Sequence, residues 1–306
     1  MNRKNWMGKL NGSMLLSNIS IPGTHNSAAI FPFMIPTGQI QTQLWDIDVQ
    51  LNNGIRFLDI TCRLIKDVLA LYHSDVYLNQ NLSDVLTSCL VFIKNNPTEF
   101  IILSIKQVGD EGEFHDVLVD SYLKLYIDCF FIINKIPSIE DIRGKIILLC
   151  RYQDGKDGKD GKDGKDGKDG KDGKDGKDGN MGINVMPWED NKTFVIDNGY
   201  CKLHVQDEHS DYTVLSITDK IKPINDLIAL AKNKSDNEIY INYTNIGGYL
   251  VTPFIGANGF TGYDGINKWF SDEYKHRTKT YLGIIVSDWV DAQEGEIIDT
   301  VINANF

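Results

Sequence analysis

The stretch NNPTEFIILSIKQ (95–107) carries the apolar, β-branched run FIILSI (100–105) between an Asn-Pro turn and a lysine. A short run of this kind, bounded by turn and polar residues, predicts a buried strand. Similar runs recur on both sides of it: LLSNISI (15–21), IRFLDI (55–60), LALY (69–72), KIILLC (145–150), LHV (203–205), IYINY (239–243) and LGIIV (282–286). The chain is therefore rich in predicted buried strands.

Helical patterns lie between several of these strands, notably LSDVLTSCLVFIKNN (82–96) and INDLIALAKNK (224–234). Alternating strands and helices predict an α/β fold, either a parallel barrel or a doubly wound sheet. With 306 residues, 42% of them hydrophobic, the chain can bury one large core. We therefore expect a single domain over 1–306.

Charge and cysteine content exclude some classes of protein. The formal net charge of -11 disfavours a nucleic-acid partner. The 5 cysteines are odd in number and contain no CxxC pair, so neither a disulfide framework nor a zinc site is predicted. The first 25 residues lack an apolar region of secretory-signal length, and no apolar run is long enough to span a bilayer. We expect a soluble protein with peripheral membrane contact, and the compartment stays open.

Residues 153–181 interrupt the pattern, because glycine recurs at every third position from Gly155 to Gly179 in successive Gly-Lys-Asp triplets. One interpretation is a collagen triple helix, which would make the protein a trimer. The other is a solvated, disordered loop on a monomer. A full rod would separate its ends by ~75 Å, although both must return to one domain, and the triplets contain no proline. We expect the disordered loop.

Polar residues follow six of the predicted strands. The carboxyl ends of parallel barrel strands meet at one face, so these side chains are expected to converge on one site. A set of two histidines, two aspartates, a lysine and an arginine suits a phosphodiester substrate. The residues are His25 with Asn26, His73, Lys106, Arg151, Asp207 and Asp288.

At these residues the chain resembles the X domain of bacterial phosphatidylinositol-specific phospholipase C. The resemblance covers nearly the whole chain outside 153–181, and it implies a distorted TIM-type (β/α) barrel. The segments that carry it are ISIPGTHNSA (19–28), GIRFLDITCRL (54–64), LYHSDVYL (71–78), NNPTEFIILSIKQ (95–107), GKIILLCRY (144–152), HVQD (204–207), YINYT (240–244) and LGIIVSDW (282–289).

The resemblance implies that the inositol 2-hydroxyl attacks phosphorus, which releases diacylglycerol and inositol 1,2-cyclic phosphate. His25 matches the general base, Asp288 the carboxylate that orients it, and His73 the general acid. Two imidazoles near neutral pKa can serve these roles. The positions that match headgroup contacts are Lys106, Arg151 and Asp207.

The chain departs from that family at Thr61, where metal-independent members carry arginine, and at Asn26, where they carry aspartate. His209 stands about where a tyrosine lies against the inositol ring. The negative charge that develops in the transition state thus lacks the cation that an arginine at position 61 would supply. The conceivable substitutes are Arg63, Lys106, or calcium held by Asn26 and Asp59. Because calcium prefers six to eight ligands, we expect the side chains to serve and no cofactor to be needed.

Two apolar loops, AAIFPFMIP (28–36) and IGGYLVTPFIGA (246–257), are expected at the rim of the site. There they would insert into a bilayer carrying a phosphoinositide lipid, or they would simply pack as long loops against the core. The rim residues are Phe31, Phe33, Met34, Tyr249, Leu250 and Phe254.

Two other functions stay open. A glycerophosphodiester or sphingolipid phosphodiesterase on the same barrel would need a carboxylate cluster for a divalent metal, and that cluster is incomplete here. A non-catalytic inositol-lipid-binding module would explain Thr61, while His25, His73 and Asp288 argue for catalysis.

Overall fold

A computed structural model describes residues 2–32, 34–35, 38–109, 112–152, 181–247 and 251–306. The strands are β1 (Ile21–Thr24), β2 (Met34–Ile35), β3 (Gly38–Gln39), β4 (Phe57–Ile65), β5 (Val68–His73), β6 (Val76–Asn81), β7 (Ile101–Gln107), β8 (Phe130–Phe131), β9 (Ile146–Arg151), β10 (Ile183–Asn184), β11 (Thr193–Asp197), β12 (Lys202–Gln206), β13 (Glu238–Tyr243), β14 (Gly259–Phe260), β15 (Tyr263–Asp264) and β16 (Ile284–Ser287).

The α-helices are α1 (Ile47–Asn52), α2 (Leu82–Asn95), α3 (Phe114–Val117), α4 (Ile139–Ile142), α5 (Ile221–Ala231), α6 (Pro253–Asn258), α7 (Ile266–Tyr274) and α8 (Glu296–Asn303). Short 3₁₀ helices span Arg3–Lys9, Leu16–Asn18, Lys124–Cys129, Val214–Lys220 and Ala292–Gly295, and a π-helical turn spans Leu118–Leu123. None of the helices in the described ranges is long and apolar enough to cross a membrane.

The main sheet has the order β10-β9-β7-β4-β1-β16-β13-β12-β11. Every pair along this order is parallel except β11 with β12. Strands β7, β9 and β13 are almost wholly buried, which agrees with their continuous apolar runs. Within the described residues no strand pairing joins β10 to β11 or β12, so this is a distorted, incompletely closed (β/α) barrel.

Two predicted strands differ from expectation. The run 15–21 forms a 3₁₀ turn at Leu16–Asn18, and the barrel strand begins only at Ile21. The run LALY lies in β5, which is antiparallel to β4 and belongs to a hairpin outside the barrel order. Because Cys62 on β4 pairs with Leu71 on β5, the hairpin carries His73 back toward the barrel. His73 therefore approaches the site from a return strand, not from the end of a barrel strand.

The amino-terminal end of the barrel is closed by a buried ion pair. Arg56 directly precedes β4 and Glu99 lies just before Phe100 and β7; both are fully buried, and their side chains are 2.7 Å apart. Glu99 also accepts hydrogen bonds from the amides of Met7 and Gly8. This network ties the first helical turn of the chain to the barrel and leaves the opposite end for the site.

Candidate active site

His25 and Asp288 emerge side by side because of strand register. Thr24, the last residue of β1, pairs with Ser287, the last residue of β16, so the next residue of each strand leaves the sheet at the same level. The Nδ1–H of His25 donates to Oδ1 of Asp288 at 2.8 Å. The side-chain amide of Gln43 fixes this corner by donating to the carbonyl oxygens of His25 and Ser287.

The buried Asp288 carboxylate sets the protonation of His25. Burial by itself would lower the pKa of His25, but the charge and hydrogen bond of Asp288, assisted by Asp59 and Asp207, raise it above the ordinary histidine value. The other imidazole nitrogen, Nε2, accepts a hydrogen bond of 2.8 Å from the side-chain amide of Asn26. In this geometry His25 has one nitrogen oriented by a carboxylate and the other facing a neutral donor.

Asn26 lies in the left-handed region, with φ of 39°, directly after His25. Its side-chain oxygen accepts a hydrogen bond of 3.4 Å from the hydroxyl of Thr61. A continuous hydrogen-bonded row thus runs from Thr61 through Asn26 and His25 to Asp288. Asparagine tolerates this backbone conformation better than most residues.

His73 faces His25 from the hairpin, with ring centroids 6.0 Å apart and planes at 83°. Its Nδ1–H donates to the carbonyl oxygen of Ile40 at 2.6 Å, which directs Nε2 away from that carbonyl. Burial, reinforced by the nearby His25, lowers the pKa of His73 to about 4. The two histidines therefore differ in proton affinity, and His25 holds a proton more readily than His73.

Three adjacent strands bring Thr61, Lys106 and Arg151 into one row. Thr61 pairs with Lys106 in the β4–β7 register, and Lys106 pairs with Arg151 in the β7–β9 register. Arg151 donates to Oδ1 of Asp59 at 2.9 Å, and its guanidinium stacks at 3.7 Å on the ring of Trp188. Lys106 is therefore the nearer cation to Thr61 along the sheet.

Arg63, predicted as a substrate contact, lies elsewhere. It is on the same strand face as Thr61 but beyond the barrel, where its guanidinium is 3.1 Å from Asp75 and 4.6 Å from the centroid of Tyr72. It does not line the cavity that holds the histidines. The two-residue repeat of a strand placed it on the correct face, but the hairpin partners that hold it outside could not be deduced from that repeat.

Asp207 and Asp190 form a further part of the cavity wall. Asp207 accepts a hydrogen bond of 2.9 Å from the indole nitrogen of Trp188. Asp190 lies 3.8 Å from the ammonium of Lys106 and 3.6 Å from Nε2 of His209, and the hydrogen bond from His209 lowers the pKa of Asp190 to about 2. This wall therefore carries fixed negative charge beside a lysine.

The two histidines, Asn26, Thr61, Lys106, Arg151 and the aspartates lie around one cavity of about 350 Å³. Its lining is rich in polar groups and combines two imidazoles with carboxylates, a lysine and an arginine. The lining residues are His25, Asn26, Ile40, Asp59, Thr61, His73, Ser74, Lys106, Val108, Arg151, Asp190, Asp207, His209, Tyr243, Asn245, Ile246, Gly247, Val251, Pro253 and Asp288.

The chain is similar in sequence to bacterial 1-phosphatidylinositol phosphodiesterases. Residues 13–130 match a family described as PI-PLC X 1. A 1-phosphatidylinositol phosphodiesterase of Listeria monocytogenes is 29% identical over 259 residues, which are 82% of this chain and 70% of the relative. One from Staphylococcus aureus is 28% identical over 321 residues, covering 99% of this chain and 94% of the relative. The chain is thus similar to PI-PLC X over residues 13–130 and to these two phosphodiesterases over most of its length.

Solved structures of PI-PLC enzymes share the fold over the full chain. The phosphatidylinositol-specific phospholipase C from Listeria monocytogenes superimposes with a TM-score of 0.71 at 25% identity and covers 100% of both chains. A variant of the Staphylococcus aureus enzyme gives a TM-score of 0.77 at 24% identity, covering 100% of this chain and 98% of the other. The PI-PLC barrel is therefore the fold of this chain.

Sequence patterns missed several residues in and beside this cavity. Asp190 and Trp188 lie between the short strand β10 and β11, where no predicted strand pointed to the site. Tyr243 ends the predicted strand IYINY and accepts a hydrogen bond of 3.3 Å from Arg151. A signal was available for Tyr243 and for Asn245, which lines the cavity, because both lie at the carboxyl end of a barrel strand.

The two predicted rim loops are described only in part. Phe31 and Phe254 are 43% and 44% exposed, and the ring of Phe254 packs edge-on against Trp289 at 4.9 Å. Their exposure agrees with a position where apolar rings meet solvent or lipid. The remaining rim residues of the prediction, Phe33, Tyr249 and Leu250, lie outside the described residues, as do positions 153–180 of the insertion, and the side chain of Met34 is not described.

A divalent-metal site has little support in the described part of the chain. No group of three or more histidine, cysteine, aspartate or glutamate residues there could hold an ion. Of the two predicted calcium ligands, Asp59 is already paired with Arg151, and the oxygen of Asn26 accepts from Thr61. The donor set fits calcium poorly, because calcium needs several free oxygens.

Proposed function

We propose that this protein is a phosphodiesterase that cleaves phosphatidylinositol, or a related inositol phospholipid, to diacylglycerol and inositol 1,2-cyclic phosphate. The observation that carries the proposal is the placement of His25 and His73 across one cavity, with Asp288 bonded to only one of them. The names of the Listeria and Staphylococcus relatives point to the same substrate.

In this proposal His25 is the general base. Its Nδ1 is oriented by Asp288, so Nε2 is the nitrogen that takes the proton from the inositol 2-hydroxyl. The amide of Asn26 now occupies that nitrogen and has to turn aside when substrate binds. Asn26 can then donate to a non-bridging phosphate oxygen instead.

His73 is the general acid that protonates the leaving glycerol oxygen. Its lowered pKa, about 4, means that the free enzyme holds it mostly neutral near pH 7, while His25 is the more readily protonated of the two. The anionic phosphodiester lies between the rings and favours a proton on His73. The two rings share one proton, which in the free enzyme lies mostly on His25. The reaction needs this proton on His73, so it proceeds through the less populated of the two protonation states.

Lys106 supplies the positive charge that Thr61 lacks. Lys106 is the direct strand neighbour of Thr61, lines the cavity and is partly exposed, whereas Arg63 is held outside by Asp75 and Tyr72. A preorganised cation at the non-bridging oxygens stabilises the charge that develops during attack. We therefore favour a side-chain cation over calcium.

The substrate is a membrane lipid, and the exposed rings of Phe31 and Phe254 are suited to the bilayer surface beside the cavity. The decisive experiment is incubation of the protein with phosphatidylinositol vesicles, with and without a calcium chelator, followed by phosphorus NMR. We expect cyclic inositol phosphate at the same rate in both samples. Binding without turnover would support the lipid-binding module, and strict calcium dependence would contradict the Lys106 assignment.

A further inference from the structure

The side chain of Lys220 carries an ammonium group that is buried beneath the cavity wall. Lys220 is the last residue of the 3₁₀ helix Val214–Lys220, and its side chain has no solvent exposure. Burial lowers its pKa to about 7, although Asp207, Glu208 and Asp288 favour the charged form. Burying a lysine without such partners would be costly, so its contacts explain why the fold accommodates it.

The hydrogen bonds of Lys220 lead to the turn that follows β12. Its ammonium donates to Oε1 of Gln206 at 2.8 Å and to the carbonyl oxygen of Glu208. The same Oε1 accepts the amide hydrogen of Glu208 at 2.8 Å, so Gln206 caps the turn. The amide group of Gln206 in turn donates to the carbonyl oxygen of Tyr243 at 2.7 Å. Lys220 therefore anchors an irregular turn to a neighbouring barrel strand.

Asp207 lies at the centre of this turn and faces the cavity, where it accepts the hydrogen bond of Trp188. Trp188 carries the stacked guanidinium of Arg151, which holds Asp59. The turn also leads into His209, whose carbonyl oxygen accepts from the amide of Gly247. Displacing the turn would displace this part of the cavity wall while leaving the His25–Asp288 pair in place.

We propose that Lys220 is a positioning residue for headgroup recognition: it fixes the 206–208 turn so that Asp207 and the Trp188–Arg151 stack form a preorganised wall. It touches no substrate itself. This inference deepens the proposed function and rests on it for the identity of the ligand. Loss of Lys220 should weaken binding of the ring and leave proton transfer nearly intact.

The test compares Lys220→Met with Lys222→Met in the full chain. Lys222 is an exposed lysine two residues away that pairs with Asp226, so it controls for loss of a lysine on this segment. For Lys220→Met we expect KM for phosphatidylinositol in vesicles to rise about tenfold with kcat within about twofold of the parent. Lys222→Met should leave both constants unchanged.

Unchanged KM in Lys220→Met, or a fall in kcat alone, would overturn the proposal. If Lys220→Met does not fold, Lys220→Gln is measured instead, since it keeps one amide donor; KM should rise by a smaller factor, and a parental KM would overturn the proposal. Lys220→Arg, which keeps charge and donors, should recover most of the parental KM.

Failure of the proposed function gives a different result. If the parent itself has no turnover, binding of myo-inositol 1-phosphate is followed by tryptophan fluorescence in the parent and both variants. Weaker binding in Lys220→Met alone supports the positioning role, and equal binding in all three, or no binding to the parent, contradicts it.

Discussion

The imidazole of His25 and the carboxylate of Asp288 are joined by a 2.8 Å hydrogen bond although 263 residues separate them in the chain. The parallel register of the first and last barrel strands creates this pair. The pair raises the pKa of His25, while His73 across the cavity has its pKa lowered to about 4. The protonation of this site is therefore asymmetric before substrate arrives.

That asymmetry predicts the pH dependence of kcat/KM, which reports the free enzyme. Activity needs one proton on the histidine pair, so kcat/KM should rise through pH of about 4, as the pair loses its second proton from His73. It should fall again above the raised pKa of His25, as the last proton leaves. The measurement is initial rates across this range on vesicles of fixed composition.

Asp288→Asn tests the origin of the basic limb. Removing the carboxylate charge should lower the pKa of His25 and move the basic limb of the profile toward lower pH, in addition to reducing turnover. A basic limb that stays in place would show that another group sets it. Nitrogen NMR of the imidazoles gives an independent measure of the same shift.

Replacing either histidine should remove most turnover. His25→Ala and His73→Ala each delete a proton-transfer group, and we expect losses of roughly 10²–10⁴-fold in kcat. His276→Ala, at an exposed position, is the matched control and should retain parental rates. Near-parental kcat in either active-site variant, with folding confirmed by circular dichroism, would refute the two-imidazole mechanism.

Two substitutions test whether Lys106 or Arg63 supplies the positive charge at the phosphate. Lys106→Met should reduce kcat by roughly 10²–10³-fold, as expected when one preorganised group that stabilises transition-state charge is lost. Arg63→Met should change kcat little, because Arg63 is paired with Asp75 outside the cavity. The opposite ranking would transfer the role to Arg63.

Thr61→Arg adds a second cation beside Lys106. We expect kcat to rise and to remain insensitive to chelator, because the new guanidinium can reach the non-bridging oxygens. Lower turnover in this variant, with unchanged thermal stability, would mean that the neutral Thr61–Asn26 pair is itself needed.

The buried pair at the closed end of the barrel predicts a stability effect without a functional one. Glu99→Gln leaves Arg56 as an uncompensated buried charge and should lower the free energy of unfolding by about 3 kcal/mol. Glu140→Gln removes an exposed ion pair with Arg143 and should cost less than about 1 kcal/mol. Urea unfolding measures both, and kcat/KM at a temperature where the variants are folded should be unchanged.

Continuous apolar runs such as FIILSI and KIILLC predicted buried strands, because strands buried on both faces carry such runs. The alternation with helices left a barrel and a doubly wound sheet open, and the family resemblance favoured the barrel. The strand ends predicted that His25 and Asp288 converge on one site, and the family resemblance implied that the two side chains pair. The sequence brought His73 to the site but assigned it to the end of a barrel strand, because LALY has the same composition as a barrel strand and only pairing with β4 makes it a hairpin strand. Local composition does not determine which neighbouring strand a strand pairs with.

The second limit on prediction from the sequence was the choice of side-chain partners. The outward position of Arg63 depends on Tyr72 and Asp75, and the role of Asp190 depends on Lys106 and His209, from distant parts of the chain. The bond from Asn26 to His25 depends on a left-handed backbone turn that the sequence Thr-His-Asn does not reveal. Such contacts follow from the assembled fold.

The first and last helical segments are clasped by Arg3 and Asp299, whose Nε and Oδ1 atoms are 2.8 Å apart at the end of the barrel opposite the cavity. Close to this clasp, the carbonyl oxygen of Ala304 accepts from the amide of Thr280 just before β16. A surface tether attached at either terminus would therefore hold the molecule by its closed base, with the mouth turned outward. Immobilised in this orientation on a sensor chip, every copy could meet lipid vesicles flowing past it.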